Sequence, residues 1–283
     1  MEAKRVVEHY ARDELKGRLR AALAAAGLEA KRLSPEDLAP LDQFHSRGLA
    51  ATIELAQALR VGQKTAVLDI GSGLGGPSRY LAATFGCHVT GIDLSPPFVE
   101  AAAFLAERAG LADRVTYRCA DALSLPFADG SFDIAWTQHV AMNIADRARL
   151  YAEAHRVLRP GGQLAIYDVA AGDGRPLHFP VPWSRGPETS FLMTPAEMYA
   201  VLEGQGFRVA SWIDRTADAI GWWAQRAQAV VQETPQETSA GAAPPALGLQ
   251  LVMGPDFSVM AANLGRNLRE GRAMLVEAVL ERP

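Results

Sequence analysis

Apolar positions recur at helical spacing over the first 60 residues and switch to short strand-like runs beyond them. A charged amphipathic segment runs to about Ala26, a break falls near Ser34–Pro35, and a second helical stretch covers Gly48 to Leu59. From Lys64 to Val169, five β-branched or apolar runs alternate with helical segments: TAVLDI, CHVTGID, RVTYRCA, FDIAWT and QLAIYDV. That alternation predicts parallel βαβ units in an α/β fold. A loop rich in Pro, Gly and Asp follows over Gly172–Pro187, then a helix over Pro195–Gln205 and a strand over Phe207–Ile213. Thr234–Pro245, TPQETSAGAAPP, has the composition of a flexible surface loop. Leu249–Val252 fits strand or helix, and Asn263–Leu280 reads as helix followed by strand. No internal repeat is visible, so the expected organisation is a helical cap over 1–60 and one domain over 61–283. Within that domain, 172–265 supplies the cover of an acceptor site.

Composition narrows the function. The chain has 283 residues, 49% hydrophobic and 21% charged, with a formal net charge of -4. No positive field favours a phosphate backbone or an anionic lipid, so neither nucleic acid nor a membrane is expected as partner. The N-terminal segment has no uncharged central run of the kind a secretory signal needs, and no later stretch is apolar for long enough to span a bilayer. The two cysteines, Cys87 and Cys119, sit in apolar strand-like runs and read as core thiols. A cytoplasmic protein, monomeric or homodimeric, is expected.

The chemistry is concentrated at three strand ends. VLDIGSGLGGPSRYLA (67–82) takes a strand into a tight glycine turn and then a helix, bringing backbone amides and a helix N-terminus close to a ligand. Taken alone, such a turn fits NAD, FAD or S-adenosylmethionine (SAM). The second strand ends in GIDLS, where Asp93 can accept both ribose hydroxyls of an adenosine ligand. A third acid, Asp121, ends the next strand. Consecutive carboxyl ends converge on one crevice in an open parallel sheet. Asp69 separates the ligands: a carboxylate beside the glycines repels a pyrophosphate and attracts the ammonium of a methionine.

The succession DIGSGLGG, ID, DA, FDIAWTQHV and LRPGGQLAIYD resembles the class I SAM-dependent methyltransferases over Lys64 to Val169. The resemblance implies a Rossmann-like, doubly wound, mostly parallel sheet with an antiparallel edge hairpin. It implies SAM as cofactor and S-adenosylhomocysteine as product. Asp69, Gly71 and Gly73 would hold the methionine end, Asp93 and Leu94 the ribose, and Asp121 and Ala122 the adenine, with Gln138 following strand four. LRPGG (158–162) is the family's turn before strand five. LDQFHSRG (41–48), TQHVAMNI (137–144), HFPVPW (178–183) and NLGRNLREG (263–271) are similar to the sarcosine/dimethylglycine methyltransferase-like subgroup, which methylates small amines.

Transfer from a sulfonium is an in-line displacement, so a base is needed only where the acceptor arrives protonated. His139, two residues past strand four, is the expected catalytic group. Gln43, His45, Trp183 and Trp222 are expected at the substrate, the tryptophan faces attracting a cation or walling an apolar pocket. His9 and His88 are expected to be structural or solvent-facing. Arg185, Arg215 and Arg266 are open alternatives for a substrate carboxylate. No histidine or cysteine pair has metal-ligand spacing, and His178 with Asp168 lacks the acidic cluster of a magnesium site, so no metal is expected. The expected function is N-methylation of a small amine or amino acid. C- or O-methylation of a secondary metabolite and a catalytically silent SAM-binding domain are the alternatives.

Overall fold

The computed structural model describes residues 14–232 and 247–283. His9 and the Thr234–Pro245 segment lie outside the described residues. Seven strands form one sheet: β1 Ala66–Ile70, β2 His88–Asp93, β3 Val115–Cys119, β4 Phe132–Gln138, β5 Leu158–Ala171, β6 Arg208–Asp214 and β7 Ala273–Glu281. Their order is β3-β2-β1-β4-β5-β7-β6. The first five pair in parallel, and β7 runs antiparallel between β5 and β6. This is the doubly wound sheet with an antiparallel edge that the motif order implied. The order reverses between β1 and β4, which opens a crevice at their carboxyl ends.

Alternate residues of the central strands serve two cores. Val67, Ile134, Trp136, Ala165 and Tyr167 face one layer, together with Ala51 and Leu55 from α3 (Leu49–Gln57) and Leu81 from α4 (Gly76–Phe85). Leu68, Ile70, Ala135, Leu164 and Ile166 face the other, with Leu150, Tyr151 and Ala154 of α6 (Arg147–Val157) and Met198 and Leu202 of α7 (Pro195–Gly204). Strands covered on both faces read as near-continuous apolar runs, which is why the five strands stood out in the sequence.

The N-terminal helices have their own seam. α1 (Leu15–Ala25) buries Leu15, Leu19 and Leu23, one face at intervals of four, against Phe98, Phe104 and Leu105 of α5 (Pro96–Ala109). Emptying one such leucine to alanine costs about 2–5 kcal/mol. Ser34–Pro35 is where α2 (Pro35–Asp42) begins: the Ser34 hydroxyl accepts from Asp37 N–H, the Asp37 carboxylate accepts from Ser34 N–H, and Pro35 fills the first turn. Three C-terminal helices complete the fold, α8 (Thr216–Gln232), α9 (Gln250–Met253) and α10 (Phe257–Arg269). Of Leu249–Val252, all but Leu249, which precedes the first turn, belong to the short helix α9.

Two local expectations are corrected. Cys119 is exposed, because β3 is an edge strand whose outer end is uncovered; Cys87 is buried, and both thiols are free. LRPGG lies inside β5: Phe132 pairs with Leu158 and Ile134 with Gln163, so Arg159–Gly162 bulge out of the ladder. No helix among the described residues is long and apolar enough to cross a membrane.

Candidate functional site

A cavity of about 440 Å³ opens at the β1/β4 switch point. It is lined by Asp69, Gly71, Gly73, Asp93, Leu94, Asp121, Ala122 and Gln138, all eight positions expected at the cofactor. Gly71, Gly73 and Gly75 have φ of 72°, 53° and 74°, a left-handed run that side-chain-bearing residues rarely adopt. A methyl group on Gly71 would lie 2.5 Å from Val140 Cγ2. The turn is held by Gly71 and Ser72 N–H donating to Ile92 O at 2.8 and 2.9 Å.

The two inner acids are shaped by burial. Asp69 accepts from Ser78 Oγ at 2.5 Å, and burial pushes its carboxyl up to about 7 against the pull of that hydrogen bond. Asp93 accepts from Gly73 N–H at 3.0 Å and Ser95 N–H at 2.9 Å, and burial raises it too. Asp93 therefore ties the glycine turn to β2 as well as facing the cavity. Asp121 is exposed and accepts from Leu123 N–H at 2.9 Å.

The cap segment enters the same cavity. Asp42, Phe44 and His45 line it, and Phe44 packs against Gly73. Gln43 turns away: its amide lies against Gly76, and its Oε1 accepts from Thr52 Oγ1 at 2.8 Å. His45 Nε2 is 2.9 Å from Gly48 O and 3.1 Å from Thr52 Oγ1. Burial lowers His45 to about 4.

His139 has φ 52°, an uncommon conformation for a residue other than glycine. Its N–H donates to Tyr167 O at 2.8 Å, and its ring stacks on Tyr167 with centroids 5.6 Å apart. The next two amides, of Val140 and Ala141, donate to the buried Asp168 carboxylate at 2.9 and 3.3 Å. Burial, then the neighbouring His45, lowers the His139 pKa well below its ordinary value. The two histidine rings meet edge to face at 6.0 Å.

Beyond the histidines the wall is largely apolar: Met142, Ile144, Pro182, Trp183, Met253 and Phe257. Trp183 is 1% exposed, its Nε1–H donates to Ser190 Oγ at 3.0 Å, and its carbonyl accepts from Asn143 Nδ2 at 2.8 Å. Trp222 does not line the cavity; it sits near Gly48 with the Arg226 guanidinium 4.9 Å over its ring. Arg185, Arg215 and Arg266 are likewise away from it, paired with Asp256, Glu277 and Glu270. Among the described residues no lysine or arginine lines the cavity. His178 pairs with Glu270, far from any role beside Asp168, and no cluster of His, Cys, Asp and Glu among the described residues is placed to hold a metal ion.

Sequence reasoning expected cover from 172–265 but did not single out Met253 and Phe257 in the apolar wall, because no motif marks them. It also missed Asp42 and Arg79. A charged residue inside the apolar run GGPSRYLA was the available signal.

An adenosine joined to a methionine fits these donors. Ser72 Oγ and Gln138 Nε2 are buried on cavity-lining residues without a hydrogen-bond partner among the described atoms. Residues 68–166 match the model of a methyltransferase domain. These residues form a domain of the class I methyltransferase family, whose cofactor is SAM.

Among curated relatives, methyltransferase GfsG of Streptomyces halstedii is 39% identical over 47% of this chain and 48% of that protein. The glycine/sarcosine/dimethylglycine N-methyltransferase of Actinopolyspora halophila is 32% identical over 49% of this chain and 23% of that protein. The chain spans about half, or less, of the length of these relatives. The same fold extends over 99% of this chain in the [4+2]-cyclase SpnF, at a TM-score of 0.70, 23% identity and 97% coverage of that structure.

Proposed function

We propose that the chain is a SAM-dependent methyltransferase that methylates the nitrogen of a small, apolar amine carrying no carboxylate. The charge of the cavity wall carries this reading. Its charged residues are the acids Asp42, Asp69, Asp93, Asp121 and Asp146, and it has no lysine or arginine among the described residues. An acceptor carboxylate of the sarcosine type would be desolvated there without a partner, at a cost of several kcal/mol. An ammonium is desolvated there too but has carboxylates as partners, and Met142, Trp183, Met253 and Phe257 offer its apolar body a matching surface.

Bound at Asp69, Asp93 and the glycine turn, SAM supplies an electrophilic methyl group on a sulfonium. The protein's own part is positional. Asp69 suits the ammonium of the methionine end, Asp93 and Leu94 the ribose, Asp121 and Ala122 the adenine, and Gln138 Nε2 is a donor held by Trp136 Nε1–H on its other end at 3.1 Å. Phe44 and Trp183 exclude water from the reacting side. His139 and His45 stand where an acceptor ammonium would lose its proton.

The test is turnover of methyl-labelled SAM against a pool of apolar secondary amines, phenols and sarcosine, read by mass spectrometry. Label is expected on the amines and absent from sarcosine. Label on sarcosine would overturn the carboxylate argument, and label on phenols alone would move the nucleophile from nitrogen to oxygen.

A further inference from the structure

Two neutral histidines flank the acceptor side of the cavity, and the hydrogen bonds of one and the enclosure of the other give them opposite tautomers. A neutral imidazole has one N–H and one lone pair. Gly48 O can only accept, so the contact of 2.9 Å places the His45 proton on Nε2. Thr52 agrees: its hydroxyl proton goes to Gln43 Oε1 at 2.8 Å, leaving its oxygen to accept from the same His45 nitrogen at 3.1 Å. The His45 lone pair therefore falls on Nδ1, the nitrogen left for the cavity that this residue lines.

His139 has the reverse constraint. Its Nε2 is fully enclosed and has no hydrogen-bond partner among the described atoms. A proton there would be a buried, unsatisfied donor, a costlier arrangement than a buried lone pair on a nitrogen. The proton belongs on Nδ1, which makes His139 a donor toward the cavity. Its left-handed backbone, the Tyr167 stack and the Asp168 grip on the next two amides leave the ring little freedom to exchange roles.

We propose that His45, from the cap, and not His139, is the group that takes the acceptor's proton. This rests on the methyltransferase reading above. One proton of the acceptor's ammonium moves to His45 Nδ1, and the nitrogen keeps the pair of that broken N–H bond, which becomes its bond to the transferred methyl. The pair of the broken carbon–sulfur bond stays on sulfur, which becomes a neutral thioether. The resulting imidazolium keeps its Nε2–H on Gly48 O and releases the extra proton to solvent. Burial, which keeps His45 uncharged at neutral pH, favours that release.

The deciding measurement is nitrogen NMR of the full chain labelled with ¹⁵N-histidine and saturated with S-adenosylhomocysteine, with His45 assigned through its contact to Thr52. The expected result is an Nε2–H tautomer for His45 and an Nδ1–H tautomer for His139; an Nδ1–H tautomer for His45 overturns the proposal without any variant being made. The second arm compares His45→Asn and His139→Asn on the acceptor labelled in the pool. His45→Asn should lose on the order of 10²–10⁴-fold in kcat, the usual yield of a positioned base, with S-adenosylhomocysteine affinity unchanged. His139→Asn should mainly raise KM. Turnover within about tenfold of the native value in His45→Asn, with loss in His139→Asn, assigns the base to His139 and overturns the proposal. Failure of the native chain to bind S-adenosylhomocysteine overturns the methyltransferase reading itself.

Discussion

Asp42 and Arg79 form an ion pair of 2.5 Å with side chains 1% and 0% exposed, joining the end of α2 to the helix that follows the glycine turn. Arg79 also donates to Leu74 O at 2.6 Å, inside that turn, so the cap and the cofactor turn share one cation. Burial pushes Asp42 up to about 6 despite the arginine, and its Oδ1 has no partner among the described atoms. Removing one member strands a buried charge, which typically costs about 3–5 kcal/mol. Asp42→Asn should lower the melting temperature sharply and weaken S-adenosylhomocysteine binding. The double variant Asp42→Leu/Arg79→Met should regain part of the stability but not the affinity. Thermal melts beside calorimetry separate the two effects; an unchanged melting temperature in Asp42→Asn would remove the latch role.

Asp93 carries two duties, and the variants should show both. It holds Gly73 and Ser95 amides at 3.0 and 2.9 Å while facing the cavity, where a ribose is proposed to sit. Two charge-assisted hydrogen bonds to a ligand are worth about 1.5–3 kcal/mol each. Asp93→Ala should lose at least roughly a hundredfold in S-adenosylhomocysteine affinity and also melt earlier. Equal affinity in a folded Asp93→Ala protein would refute the ribose assignment.

Gly71→Ala tests whether the turn must touch the His139 loop. The new methyl meets Val140 Cγ2 at 2.5 Å and forces a left-handed alanine, a strain of about 1–3 kcal/mol. The expected result is lower stability together with weaker S-adenosylhomocysteine binding. Native binding would mean that the loop simply moves aside.

The pH dependence follows from Asp69. Its folded pKa, about 7, lies above the ordinary carboxylate value of 3.8, so between these limits the folded state binds more protons than the unfolded one. The free protein's stability from this group is therefore fully present at low pH and falls as pH rises toward 7. A ligand ammonium beside Asp69 reverses the preference and drives the proton off. Calorimetry with S-adenosylhomocysteine at about pH 6 in two buffers of different ionisation enthalpy should show release of up to about one proton. At pH above about 8 the release should vanish. Proton uptake on binding would contradict the placement of the ammonium.

Phe257 and Trp183 should set the acceptor and leave the cofactor alone. Phe257→Ala is expected to raise the acceptor KM by about tenfold, the value of roughly one lost aromatic contact, with S-adenosylhomocysteine affinity unchanged. Phe257→Arg should weaken the apolar amine further and make carboxylate-bearing amines the better substrates. Kinetics against the labelled pool reads both outcomes.

The sequence alone determined the sheet and the crevice at its carboxyl ends. Parallel strands buried on both faces must read as apolar runs, and the turn after β1 must read as glycines because its φ angles are positive. Asp69, Asp93 and Asp121 were legible for the same local reason, each sitting at a strand end whose position the chain fixes within a few residues. The apolar wall of the cavity was legible only as a segment, 172–265, with Trp183 in it, because its individual residues are brought together by contacts with no sequence periodicity. Trp183 reaches the cavity and Trp222 does not, although both are tryptophans outside the sheet. Phe257 enters from a helix that the linear chain separates from His139 by more than a hundred residues. Whether a histidine gives or takes a proton was decided by tertiary structure alone, since the tautomer of His45 depends on Gly48 O and Thr52 Oγ1 closing around one nitrogen. Local sequence sets backbone conformation and burial pattern; which side chains face one another, and with which hydrogen, is settled only when the elements pack.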